Sequence, residues 1–192
     1  MYDRYSVQKI VFALTMFVNI MITVFLDAYY YNSSSNTFRD NIDDKLKTVA
    51  FGAKYTLDGY NDEIKSADSV SRQRYIEIVK ELSKYTNSVG VEYIYSVVEK
   101  DGKIYFTTSS ATKEELKKED YGKAYEEYKK VREGLKEAFK TKKPQFDEYS
   151  DEWGSHRSYF VPMTTKGGKE YVVGIDVSLQ SIDDALNTIL LD

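Results

Sequence analysis

The longest hydrophobic pattern in the chain comes first. Ile10 to Leu26 reads IVFALTMFVNIMITVFL, without a charge and broken only by Thr15, Asn19 and Thr23. That is the short end of a membrane span, and Tyr29, Tyr30 and Tyr31 extend it with rings suited to the headgroup level. Arg4 and Lys9 precede the run and Asp27 follows it. The positive flank therefore puts the N-terminus in the cytoplasm and everything after Tyr31 outside. The stretch LDAYYYN offers no small-x-small cleavage site, which argues against a removed signal peptide. A helix apolar on every face would also be out of place as the core element of so polar a chain.

Beyond Asn32-Ser33-Ser34-Ser35, a helix-start cluster, Phe38, Ile42, Leu46, Val49, Ala50, Ala53 and Leu57 recur at helical spacing. They predict a long amphipathic helix ending near Gly59 and Asn61. A second helix is predicted over Ser71 to Tyr85, with Tyr75, Ile78, Val79, Leu82 and Tyr85 on one face. Val91 to Glu99 and Lys103 to Thr108 are rich in β-branched and aromatic residues, and Asp101-Gly102 between them signals a two-residue hairpin. That turn pairs Lys100 with Lys103, Val98 with Tyr105 and Tyr95 with Thr108. A charged insert follows, read as a short helix over Lys113 to Glu119 and a longer one over Tyr121 to Lys140. Strands return at Gln145–Tyr149, Ser155–Thr164 and Glu170–Val177, the last two joined at Gly167-Gly168. A final helix is expected over Leu179 to Leu191, capped by Ser178 or Asp176. Hairpins separated by an insert favour an α+β fold, one antiparallel sheet with helices on its faces.

Composition narrows the function classes. The chain has 192 residues and a net charge of −4, with basic and acidic residues interleaved, so nucleic acid is not an expected partner. It has no cysteine, which removes disulfides, thiolate metal sites and thiol nucleophiles. The only histidine is His156, and neither a glycine-rich phosphate loop nor a metal-ligand cluster is visible. A non-enzymatic protein is expected, with no catalytic residue, no metal and no cofactor.

The densest group of unusual residues is Asp151-Glu152-Trp153-Gly154-Ser155-His156-Arg157-Ser158-Tyr159-Phe160. Arg157 and Tyr159 alternate onto one face of the predicted strand, His156 and Ser158 onto the other. A guanidinium offers paired donors that match a carboxylate, and an aromatic wall of Trp153, Tyr95 or Tyr159 would exclude water beside it. The alternative is a surface arginine paired with one of the chain's many acids, with Trp153 plugging the sheet edge. Asp176 could likewise accept hydrogen bonds from a ligand or cap the last helix.

A membrane helix, a long helix after it, YIYSVVEKDGKIYFTTSSAT, DEWGSHRSYFVPM and YVVGIDVSLQSID resemble, in this order, the single Cache sensor domain of bacterial chemotaxis receptors and related sensor proteins. The resemblance implies a PAS-like five-stranded antiparallel sheet with a long N-terminal helix, a helical insert and a C-terminal helix. Residues 1–31 would form the cytoplasmic N-terminus and the transmembrane helix. Residues 32–192 would form an extracytoplasmic sensor domain on a bacterial inner membrane, within a longer receptor. It further implies a pocket between sheet and insert, a small carboxylate ligand, and a homodimer along the long helix. Ligand contacts are accordingly expected from Arg157, Trp153, His156, Tyr159, Tyr95, Tyr105, Ser109 and Asp176. Related double-Cache domains that bind amino acids use an aspartate where Asp176 stands, but their Tyr and Arg-x-Trp-Tyr motif is absent here.

Overall fold

No glycine precedes Gly52 and no proline precedes Pro144, so the backbone carries no helix breaker through its first quarter. In the computed structural model, which describes residues 4–151, 154–182 and 184, helix α1 runs unbroken over Arg4–Glu63. The serine cluster does not restart it. Thr37 instead donates its hydroxyl to the Ser33 carbonyl at 3.0 Å, inside a continuing helix. Gly59 and Asn61 do not end it either.

Two units divide the described chain, one up to Ile42 and one from Asp43 onward. In the first, the apolar run is long enough to cross a membrane, with a mean hydropathy of 2.2 in its most apolar window and none of that window buried. Thr15, Asn19 and Thr23 each donate to the carbonyl four residues earlier, at 2.9 to 3.0 Å. Both hydroxyls and one amide hydrogen are thereby satisfied within the helix, as a membrane span would require.

The second unit is a mixed helix-and-sheet domain. Helix α2 (Arg72–Val89) starts at Ser71, whose side chain accepts from the Arg74 amide, and ends at Gly90 in the left-handed conformation. Strands β1 (Tyr93–Lys100) and β2 (Lys103–Ser109) form the hairpin, and α3 (Lys113–Lys118) carries a capping box from Thr112 and Glu115. Then come β3 (Glu126–Glu127), α4 (Glu133–Thr141), β4 (Gln145–Asp151), β5 (Gly154–Thr164) and β6 (Glu170–Ser178). Residues 179–182 are helical, and the rest of the expected C-terminal helix lies outside the described residues except for Asp184.

All pairings are antiparallel, in the order β3-β2-β1-β6-β5-β4. The sheet thus has six strands rather than the five expected. The sixth, β3, comes from the segment read as a long helix. Gly122 and Tyr125 there take positive φ, 61° and 58°, which a helix cannot accommodate. The Tyr125 and Tyr128 amides donate instead to the Phe106 and Ile104 carbonyls of β2. The stripe Tyr121 to Phe139 still finds its core, in two clusters rather than along one helix.

The hairpin pairs Lys100 with Lys103 and Val98 with Tyr105 as expected, but a bulge after Ser96 shifts the rest by one. Tyr95 lies opposite Ser109, and Ser96 opposite Thr108. One sheet face packs on α1 and α2, burying Leu46, Val49, Ala53 and Leu57. The other is covered by the insert, where Leu135, Ala138 and Phe139 meet Val97, Phe160 and Val172. Leu46, Val49 and Ala53 therefore belong to the domain's own core and are not available to a dimer contact along the helix.

Candidate functional site: a buried carboxylate beneath the insert

Asp176 sits on the central strand β6, between β1 and β5, and is 6% exposed. Its cross-strand partners are Tyr93 on β1 and Ser158 on β5. Alternation then puts Tyr93, Tyr95, Ser158 and Asp176 on the insert-covered face. The Ser158 hydroxyl donates to Asp176 Oδ1 at 2.5 Å. The Tyr95 phenol reaches Oδ1 and the Tyr149 phenol Oδ2, each at 3.4 Å. The serine contact is tight and the two phenol contacts are long for O–H···O bonds.

Aromatic rings wall this carboxylate. Tyr95 meets Phe106 edge-on at 5.6 Å, and Phe106 stacks on Tyr128 from the insert at 4.6 Å. Arg132, the residue that opens α4, places its guanidinium 4.4 Å from the centre of the Tyr149 ring. Burial, reinforced by the Asp176 carboxylate, pushes the Tyr95 and Tyr149 phenols well above their ordinary value of 10, and Tyr128 moves the same way. All three remain protonated donors at physiological pH.

Room for the Tyr95 ring is made by Gly174. A Cβ there would lie 2.3 Å from the ring, so the ring covers bare backbone. The turn at Asp101-Gly102 sets this register from the other end of β1, with positive φ at both residues.

The expected site residues divide between the two faces. Asp176, Tyr95 and His156 share the insert side. His156 is 2% exposed, its Nδ1 is 3.1 Å from the acceptor Glu92 Oε2, and its ring lies 5.6 Å from that of Tyr149. Arg157 and Tyr159 face α1. The Arg157 fork is bidentate to Asp43 at 2.6 Å on both arms, and its other nitrogen meets Glu148 at 2.8 Å. Tyr159 stacks on Phe146 at 4.6 Å. Tyr105 lies opposite Val98 on that same side, 5.9 Å from Tyr125. Ser109 donates to the Ser110 carbonyl at 2.9 Å, and Trp153 lies outside the described residues. At the start of the final helix Ser178 accepts from the Ser181 amide at 3.4 Å.

Sequence reasoning missed Tyr149 and Ser158 as partners of Asp176, and Arg132 as a neighbour of Tyr149. Tyr128 was visible only as a stripe residue. A shallow cleft of about 150 Å³ lined by Phe139, Lys142, Pro162, Met163, Glu170 and Tyr171 contains none of these groups.

No family model matches the chain, and no curated protein is similar to it. Among solved structures, the sensory domain of the Campylobacter jejuni chemoreceptor Tlp3 with isoleucine bound aligns at a TM-score of 0.41 and 14% identity, over 83% of this chain and 65% of that one. The L-valine complex of the same domain gives 0.41 and 14%, over 83% and 66%. An extracellular domain assigned to a histidine kinase gives 0.46 and 14%, over 87% and 63%. The chain thus spans a little under two thirds of the length of these structures.

Proposed function

We propose that this chain is the ligand-binding part of a membrane-anchored receptor, a single-Cache-type sensor with a binding and not a catalytic role. Ile10 to Leu26 spans a bacterial inner membrane, and the domain from residue 32 lies outside it. The ligand is a small metabolite bearing an ammonium group, which binds Asp176. An amino acid fits best, with its carboxylate turned toward Arg132.

The observation that carries this reading is the arrangement at Asp176. A carboxylate is costly to bury, and this one is held among tyrosine rings whose faces favour a cation. The Tyr95 and Tyr149 hydroxyls stand at 3.4 Å from it, long contacts that an incoming ammonium can displace. A bare carboxylate ligand, the expectation from sequence, would meet the like charge of Asp176. An amine does not.

A parallel homodimer along α1 is part of the proposal. Phe51 and Tyr55, four residues apart and 64% and 91% exposed, supply its apolar contact.

The test is a thermal-shift screen of the full chain in detergent against amino acids, amines and small carboxylates. An ammonium compound at a hundred times its Kd should stabilise the domain by about 2.7 kcal/mol, and Asp176→Asn should abolish the shift. A response confined to carboxylates without an amine, or an undiminished response in Asp176→Asn, overturns the assignment.

A further inference from the structure

Beside the candidate site, on the opposite face of the same strand, lies a second buried polar group that ligand binding does not use. Asn61 of α1, Ser96 of β1 and Thr107 of β2 are all 0% exposed. Asn61 Nδ2 donates to Ser96 Oγ at 3.2 Å, and Thr107 Oγ1 donates to Asn61 Oδ1 at 2.9 Å. Ser96 and Thr107 share a 2.5 Å hydrogen bond. Thr107 Oγ1 also approaches the Ser96 carbonyl at 3.1 Å; with its proton on the shorter bond to Asn61, the serine hydroxyl is left to donate to the threonine. The three side chains then close a ring in which every donor points the same way round, an arrangement whose members polarise one another. The second amide hydrogen of Asn61 goes to the Leu57 carbonyl at 3.0 Å, which fixes the orientation of the carboxamide. Tyr60, the neighbour of Asn61, adds a bond from its phenol to the Thr107 carbonyl at 3.1 Å.

The ring touches the site through one peptide unit. Ser96 follows Tyr95, and successive strand residues project to opposite faces. Tyr95 reaches Asp176 on the insert side while Ser96 grips Asn61 on the helix side. The register irregularity between Ser96 and Val97 falls at this point, where an extra residue on β2 loosens the ladder. Tyr95 is also pressed onto Gly174, so its hydroxyl cannot leave Asp176 without moving the ring and the backbone beneath it.

We propose that β1 reports the state of Asp176 to helix α1 through the Asn61–Ser96–Thr107 ring. This rests on Asp176 being the ligand-binding group. A ligand that takes the place of the Tyr95 hydroxyl shifts β1 at its bulge, and the ring passes that shift to α1, the helix that carries the apolar run.

The test is a double-variant cycle read by hydrogen exchange of the α1 amides at residues 57–63, in the full chain and without ligand. Tyr95→Phe removes one hydroxyl at the site and keeps the ring; Thr107→Val breaks the clasp with a side chain of the same shape. In an intact clasp, Tyr95→Phe should speed exchange of those amides about ten-fold, the cost of one buried hydrogen bond. In the Thr107→Val background the same change should do less than about two-fold, the scatter expected of independent sites. Equal increments in both backgrounds, or no increment in either, overturn the proposal. Ser96→Ala opens the ring at another link and must repeat the pattern, which guards against a background that folds poorly. A ligand found by thermal shift together with additive exchange leaves the sensor standing and removes the clasp. Coupled exchange with no ammonium compound bound keeps the clasp and removes the sensor reading.

Discussion

Arg157→Ala should lower stability and leave ligand affinity nearly intact, because its three guanidinium nitrogens already hold Asp43 and Glu148. Removing a charge-assisted, largely buried bidentate partner costs on the order of 2–3 kcal/mol. Chemical denaturation of the full chain reads that loss, and a folded variant with weakened binding would return Arg157 to the ligand site. Asp176 was legible because it stands in a strand whose alternation and following serine could be read directly. Its neighbours were not. Ser158 and Tyr149 join it only through the β4–β5–β6 register, in which Ser158 faces both Asp147 and Asp176. Arg157 was conspicuous by chemistry, yet its partner lies 114 residues away, at a separation no local pattern reports.

Cross-linking should distinguish the two faces of α1. The chain has no native cysteine, so a single introduced one is a unique reporter. Disulfides between copies are expected at positions 51 and 55, where the side chains are exposed, and not at 46, 49 or 53, which are buried in the domain. Strong cross-links at the buried set, or none anywhere, would refute the proposed dimer. The same helix shows what periodicity can and cannot say. The stripe of Leu46, Val49 and Ala53 correctly marked an apolar face, but spacing alone does not tell a core contact from a contact with another chain. In the insert the apolar stripe was real, but the helix formed only over Glu133–Thr141. Tyrosine at a positive φ, as at Tyr125, has no signature in sequence, whereas Asp101-Gly102 announced its turn because both residues favour that geometry.

Over the molecule as a whole, buried phenols set the alkaline limit of stability. Burial raises Tyr60, Tyr95, Tyr149 and Tyr171 above 10 in the folded chain. The unfolded chain releases those protons near 10, so the folded form binds more protons at higher pH and stability falls as pH rises. Melting temperature should hold up to about pH 10 and drop steeply beyond, with part of the tyrosinate absorbance appearing only on unfolding. A full tyrosinate signal before unfolding would contradict the burial. Orientation is tested separately: protease added to intact spheroplasts should digest the domain, and protection would reverse the proposed topology. The strand order carries a longer-term consequence. Asp176 and Tyr95 sit on the two central strands, whereas Tyr128 and Arg132 belong to the crossover that joins the sheet's two flanks. Lineages descended from such a domain can rewrite or resize that crossover without disturbing the centre. Divergence in what is recognised should therefore accumulate between residues 110 and 144, while the aspartate, the tyrosine and the glycine beneath it change slowly or change together.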